Sequence, residues 1–170
     1  MVEHAVAVSV VAPLIALGAC RSRAARALLP RASVAWVAFL VSQWVAHVPS
    51  VIERVDADPA VHAAEQAILM AAAVAFWAHA LGAPRGTGSL GPAARAGYLL
   101  AAVPAADLTA LMLMAAGEGP AAVAMLAGML PLPLAAIWAT WAWVAGEERS
   151  ARAAQRDDLG AVPGAAEATR

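Results

Sequence analysis

Charge is scarce in this sequence: Asp, Glu, Lys and Arg make up 14% of its 170 residues, where a soluble domain carries about a quarter. Lysine is absent, so the 11 basic residues are all Arg, and the 12 acidic ones bring the net charge to -1. A chain without a basic field is not expected to bind nucleic acid. The single cysteine, Cys20, excludes an internal disulfide and a CxxC metal pair, so any metal site must be built from His, Met or carboxylate. No internal repeat, no nucleophile beside a base and no phosphate-binding loop is present, and an enzyme is not expected. What fills the chain is aliphatic: 62% of it is hydrophobic and its mean hydropathy is +0.70. The apolar residues fall in blocks too long for soluble elements, which makes this an integral membrane protein.

Crossing a ~30 Å hydrocarbon core at ~1.5 Å per residue needs a run of about twenty apolar residues. Five runs qualify, at 2–20, 32–48, 59–81, 96–116 and 120–145, the second being the shortest. Helices are expected because backbone polar groups in lipid must be satisfied within their own segment, and the alternation of a membrane barrel is missing. The expected fold is an all-α bundle of about five transmembrane helices over residues 1–145, with a disordered polar tail at 146–170. Pro49 closes the second run, Asp58 and Pro59 read as N-cap and first residue of the third, and Gly119 and Pro120 open the fifth. The Gly-rich stretch 82–91 reads as a flexible loop. The first run has no basic segment before it and no clear cleavage site, so it reads as retained rather than as a signal peptide.

Short cytoplasmic loops are enriched in basic residues, and the Arg residues alternate from loop to loop. Arg21, Arg23, Arg26 and Arg31 follow the first run, Arg85 and Arg95 the third, and Arg149, Arg152, Arg156 and Arg170 the fifth. The intervening loops hold Arg54 among Glu53, Asp56 and Asp58, and then Glu118 alone. This pattern places the N-terminus outside and the C-terminus in the cytoplasm. Tyr98, Trp77, Trp138, Trp141 and Trp143 then fall near the inner interface, as an aromatic belt.

With that orientation, His4, His47 and His62 lie at one level on three helices, at the outer face, while His79 lies near the inner interface. Imidazole suits copper and zinc, and three at one depth point to a metal site, although interfacial His can also simply reach water and headgroups. Glu65 and Gln66 share a helical face with His62, and Gln43 lies one turn from His47. Each is a candidate to orient a ligating His, or else to hydrogen-bond between helices. All six Met fall in the outer half, Met125 and Met129 on one face. Thioethers favour Cu(I), but Met is also a common gap-filler. Asp107 is the deepest ionisable residue, close to Pro104, and is expected to be buried against the bundle as a proton or cation relay or as a neutral structural group.

The strings Met1-Val-Glu-His4, Val-Ala-Pro13-Leu-Ile-Ala-Leu-Gly18, His47-Val-Pro49, Asp58-Pro59-Ala-Val-His62-Ala-Ala-Glu65 and Arg95-Ala-Gly-Tyr98-Leu-Leu with Pro104 resemble successive motifs of the CtaG class of cytochrome c oxidase assembly factors. The resemblance runs to about Trp143. It implies a multi-pass factor of the bacterial plasma membrane, with oxidase subunits as partners and copper handled at the outer side. His4, His47 and His62 would be the metal ligands, with Glu65 beside them. The family usually has Trp where this chain has Ala46, His where it has Gln66, and an Asp-Gln pair before the last span where it has Ala-Ala-Val after Pro120. A further His ordinarily precedes the first Met of the motif, so a longer reading frame upstream of Met1 is expected. Two other readings remain open: a small haem b protein using His47 and His62, and a cofactor-free scaffold that holds oxidase subunits through its small-residue faces.

Overall fold

The computed structural model describes residues 2–82 and 89–160, and every regular element among them is helical. The first rod joins α1 (Val2–Val6), a π-helical turn (Ala7–Val11) and α2 (Ala12–Ala19). Pro13 explains the turn. It has no N–H, and its ring crowds the carbonyl four residues back. The π register, seen where the Ala12 N–H bonds the Ala7 carbonyl, would pair the Val8 carbonyl with residue 13, which has no hydrogen to give. That carbonyl instead accepts the indole N–H of Trp77 at 2.9 Å.

A short helix, α3 (Arg23–Ala27), leads into α4 (Ala32–Ala46). Pro49 disfavours helical geometry at Val48, which is extended (φ -72, ψ 127), and α5 (Pro49–Ala57) departs at 75° to α4. The Asp58 carboxylate accepts the Ala60 N–H at 2.8 Å and starts α6 (Pro59–Ala80), as its sequence predicts. Then follow α7 (Pro92–Ala115), α8 (Gly119–Met129) and α9 (Pro131–Gly160). Among the described residues three helices are long and apolar enough to cross a membrane: α6, α7 and the α8–α9 rod, Gly119–Arg156. The bent α4–α5 pair makes a fourth if it counts as one span, and the apolar part of the first rod, His4–Ala19, is shorter.

The tail departs from its expected disorder. Residues 146–160 continue α9 as helix, held by Arg149 on the Ala145 carbonyl, Ser150 on the Gly146 carbonyl and a 2.9 Å ion pair between Arg152 and Glu148. Spacing of four residues between charges of opposite sign supports a helix that the overall polarity disguises. Residues 161–170, and most of the expected loop at 83–88, lie outside the described residues.

Small residues set the packing. Ala12, Ala16, Ala73, Ala102 and Ala122 are fully buried and let backbones approach where α2 meets α6 and where α7 meets α8 and α9. At the α1–α8 crossing a Cβ on Gly128 would overlap the Ala5 methyl, and the Ser9 hydroxyl reaches the Gly128 carbonyl. Larger groups fill the centre: Phe76 stacks between Phe39 (4.4 Å) and Tyr98 (4.9 Å), with Trp77 edge-on at 5.6 Å. Trp36 and Trp44 donate their indole N–H groups to the Tyr98 and Ala105 carbonyls at 3.1 and 3.0 Å, tying α4 to α7.

Several positions differ from the sequence reading. Trp77 and Tyr98 belong to the core rather than to an interfacial belt, whereas Trp138 and Trp141 are exposed. His79 is buried, and its Nε2–H donates to the Pro30 carbonyl at 2.8 Å, fastening the loop before α4 to the end of α6. Asp107 faces outward instead of into the bundle, because Ala102, Ala106, Thr109, Ala110 and Leu113 take the inner face of α7. It lines a small cavity of about 190 Å³ with Met129 and Pro133, at the joint between α8 and α9.

Candidate functional site

The end of the bundle where α1, α4, α5 and α6 meet holds a cavity of about 380 Å³ lined by His4, His47, His62, Glu65 and Gln66. Three separate helix ends bring the His residues there: His4 in the first turns of α1, His47 at the C-cap of α4 and His62 in the first turn of α6. The cap position of His47 follows from Pro49, which ends α4 just where the imidazole must turn into the cavity.

His47 is buried, and its Nδ1–H donates to the Gln43 carbonyl at 2.7 Å. That bond fixes the ring and the tautomer, leaving the Nε2 lone pair as the free end. The sequence offered the Gln43 side chain as one candidate to orient a ligating His or to hydrogen-bond between helices; the contact made is through its backbone carbonyl, and its buried side-chain nitrogen has no partner among the described residues. His4 packs edge-on against His47, ring centroids 5.7 Å apart and planes at 87°. Its Nδ1 lies 3.1 Å from the Gln66 amide nitrogen and 3.9 Å from Glu65 Oε1. Gln66 also donates to Glu65 Oε2 at 3.0 Å, so one amide bridges the imidazole and the carboxylate. The buried Nε2 of His4 has no hydrogen-bond partner among the described residues. His62 lines the same cavity from an exposed position.

His4, His47, His62 and Glu65 therefore share one cavity, as the sequence expects. They do not close on a point: among the described residues no three of His, Cys, Asp and Glu are arranged to hold a metal ion together. The Met residues stay apart. Met125 and Met129 are buried on α8, Met112 and Met114 are exposed, Met70 lies on a different groove, and Met1 lies outside the described residues.

The sequence reading missed the roof. Ile52, Val55 and Asp56 of α5 line the cavity, with the exposed Glu53 and Arg54 turned away from the apolar face. The signal was present as apolar Val51, Ile52 and Val55 at helical spacing between Pro49 and Asp58, a short amphipathic helix where a loop was expected.

Compared with known proteins, residues 1–147 match the family model of the cytochrome c oxidase caa3 assembly factor (CtaG). No curated protein and no solved structure matches the chain.

Proposed function

Because the chain belongs to the cytochrome c oxidase caa3 assembly factor family, we propose that it serves the making of that oxidase by holding copper at the His4–His47–His62 cavity and passing it to an oxidase subunit. The observation that carries the reading is the pair of imidazoles with unengaged Nε2 atoms: His47 is oriented through Nδ1 by a backbone carbonyl, and the His4 Nε2 is buried without a partner. Two neighbouring imidazoles, with no three of His, Cys, Asp and Glu grouped for a metal among the described residues, suit a soft monovalent ion, which accepts low coordination, better than zinc, which asks for four ligands. For His4 to offer a lone pair at Nε2, its Nδ1 must carry the hydrogen. Glu65 Oε1, 3.9 Å away, is the group to accept that hydrogen once Gln66 releases the ring. His62 and Asp56 at the rim supply further donors during entry and release.

Purified protein loaded under reducing conditions is expected to retain roughly one Cu(I) per chain, and His47→Ala to abolish it. Unchanged stoichiometry in His47→Ala overturns the site. A Soret band in the purified protein transfers the assignment to haem, and capture of oxidase subunits by a His4→Ala/His47→Ala/His62→Ala variant at wild-type yield favours a cofactor-free scaffold.

The same reading sets the protein in the bacterial plasma membrane with five crossings, the first rod and the α4–α5 pair included, N-terminus outside and C-terminus in the cytoplasm. The support is the alternation of Arg between loops. A Cys placed at Asp56 should react with an impermeant reagent in intact cells and one placed at Arg26 should not; the reverse pattern puts the cavity on the cytoplasmic side.

A further inference from the structure

At the opposite end of the bundle the chain builds a second surface with no role in the cavity. An apolar groove and an apolar strip of α4 lie side by side there. One, of about 790 Å³, runs between α2, the α3 turn and α6, and every side chain that lines it is apolar, Ile15, Leu28, Ala38, Ile68 and Ala71 among them. The other, of about 430 Å³, is lined by Ser33, Val34, Val37, Ala38 and Val41. Ala38 belongs to both; the second is a shallow strip whose lining residues all lie on the outer face of α4, from Ser33 near its N-terminal end to Val41.

That end is cationic and open. Arg21, Arg23 and Arg31 are exposed and have no acidic partner among the described residues. Arg26, by contrast, is engaged by the Cys20 carbonyl at 2.8 Å. Arg31 occupies the N-cap of α4, and no side chain caps the helix, so its first N–H groups are free to meet an anion. The Pro30 carbonyl is held by His79, which keeps the loop in place at the mouth of the groove.

We propose that an anionic phospholipid binds here, its phosphate between the free arginines and the N-terminus of α4, one acyl chain in the groove and the other along the apolar strip of α4. Charge complementarity selects the headgroup: unpaired guanidiniums beside a helix N-terminus bind phosphate in a leaflet-level site as they do in soluble proteins. A groove and an apolar strip side by side on α4 suit a ligand with two tails joined at one end. A single transmembrane helix of a partner would fill the groove and leave the arginines unpaired.

The test reconstitutes the full chain into vesicles of phosphatidylglycerol and phosphatidylcholine in equal amounts, extracts it in mild detergent and quantifies the phospholipid that stays bound by mass spectrometry. Wild type should retain phosphatidylglycerol over phosphatidylcholine by at least about fivefold. Arg21→Gln/Arg23→Gln/Arg31→Gln should bring the ratio down to that of the vesicle, by about fivefold for each arginine that contacts the phosphate. Ala38→Trp, an exposed position shared by the groove and the strip, should reduce total bound lipid while the thermal melt stays at the wild-type value. Equal retention of the two lipids by wild type overturns the proposal, as does full enrichment in the triple variant. A lipid-free chain recovered as an oligomer, with Cys residues at Ala38 and Ile68 cross-linking between copies, overturns it in favour of a partner helix.

Discussion

Gly128→Ala adds one methyl group where α8 crosses α1. The new Cβ overlaps the Ala5 methyl, with the Ala5 Cα only 3.5 Å away, and neither group has a rotamer through which to escape. The two helices must move apart. Overpacking of this kind costs ~1–3 kcal/mol. Separation also weakens the reach of the Ser9 hydroxyl to the Gly128 carbonyl, although the hydroxyl keeps the Ala5 carbonyl at 2.6 Å, so this part adds about 0.6 kcal/mol. Helix propensity returns ~1 kcal/mol on replacing the helical glycine, so the expected net loss is ~1–3 kcal/mol, read from unfolding of the purified protein by titration of a denaturing detergent into mixed micelles. Ala5→Gly alone should cost ~1 kcal/mol in helix propensity. Combined with Gly128→Ala it removes the obstructing methyl, and the double variant should recover at least ~1 kcal/mol relative to the sum of the single changes. Because α1 carries His4, copper retention should fall in Gly128→Ala and return in the pair. Strict additivity, or a Gly128→Ala variant within about 0.5 kcal/mol of wild type, refutes the close crossing.

Trp77→Phe removes the buried indole donor to the Val8 carbonyl and should cost ~1–3 kcal/mol in the same assay, whereas Trp44→Phe, whose indole is at the surface, should cost less. Phe76→Ala opens the centre of the aromatic stack and is expected to lose ~3–5 kcal/mol, with copper stoichiometry retained in the fraction that folds. His79→Ala should lower stability by freeing the Pro30 loop, yet leave copper binding at the wild-type level, since His79 lies far along α6 from His62; loss of copper in this variant would argue against the cavity as the site. Gln66→Leu removes the amide that holds His4 Nδ1 and leaves that nitrogen to donate to Glu65, so copper uptake should speed up or tighten without a change in the fold, measured by competition with a chromophoric Cu(I) chelator.

Helix positions and joints were legible in the sequence wherever a single residue decides them. Pro49 and Asp58 act through backbone geometry and one hydrogen bond, both local, and the structure has them where the sequence puts them. The meeting of His4, His47 and His62 was legible too, because each sits at a helix end and the level of a helix end follows from counting residues. Rotation about the helix axis was not. A helix apolar around its whole circumference carries no amphipathic signal, so nothing local says that Asp107 turns outward or that Trp77, Tyr98 and His79 turn inward. Those choices are made by shape between neighbours: Phe39, Phe76 and Tyr98 stack only in one rotation, and Ala102 and Ala106 must face α8 and α9 for the backbones to approach. The α9 extension was hidden for the opposite reason, since a polar stretch looks like a tail until its charges are paired four apart.

The break at Pro49 makes the two sides of the bundle unequal in height. At ~1.5 Å per residue the 15 residues of α4 rise about 22 Å, while the 24 of α7 rise about 36 Å. Hydrocarbon about 30 Å thick fits the second and overshoots the first, so on the proposed five-crossing topology the bilayer dips beside α4 and the similarly short His4–Ala19 rod. The dip falls at the end where α5 lies across the top of the cavity. Water then stands at the depth of His47 without any helix having to part, and a hydrated cation can reach the imidazoles from solution while the rest of the bundle stays closed. Thickness becomes a variable in its own right: lipids with longer acyl chains should submerge α5 and slow metal exchange, and shorter ones should speed it, with no change in any ligand.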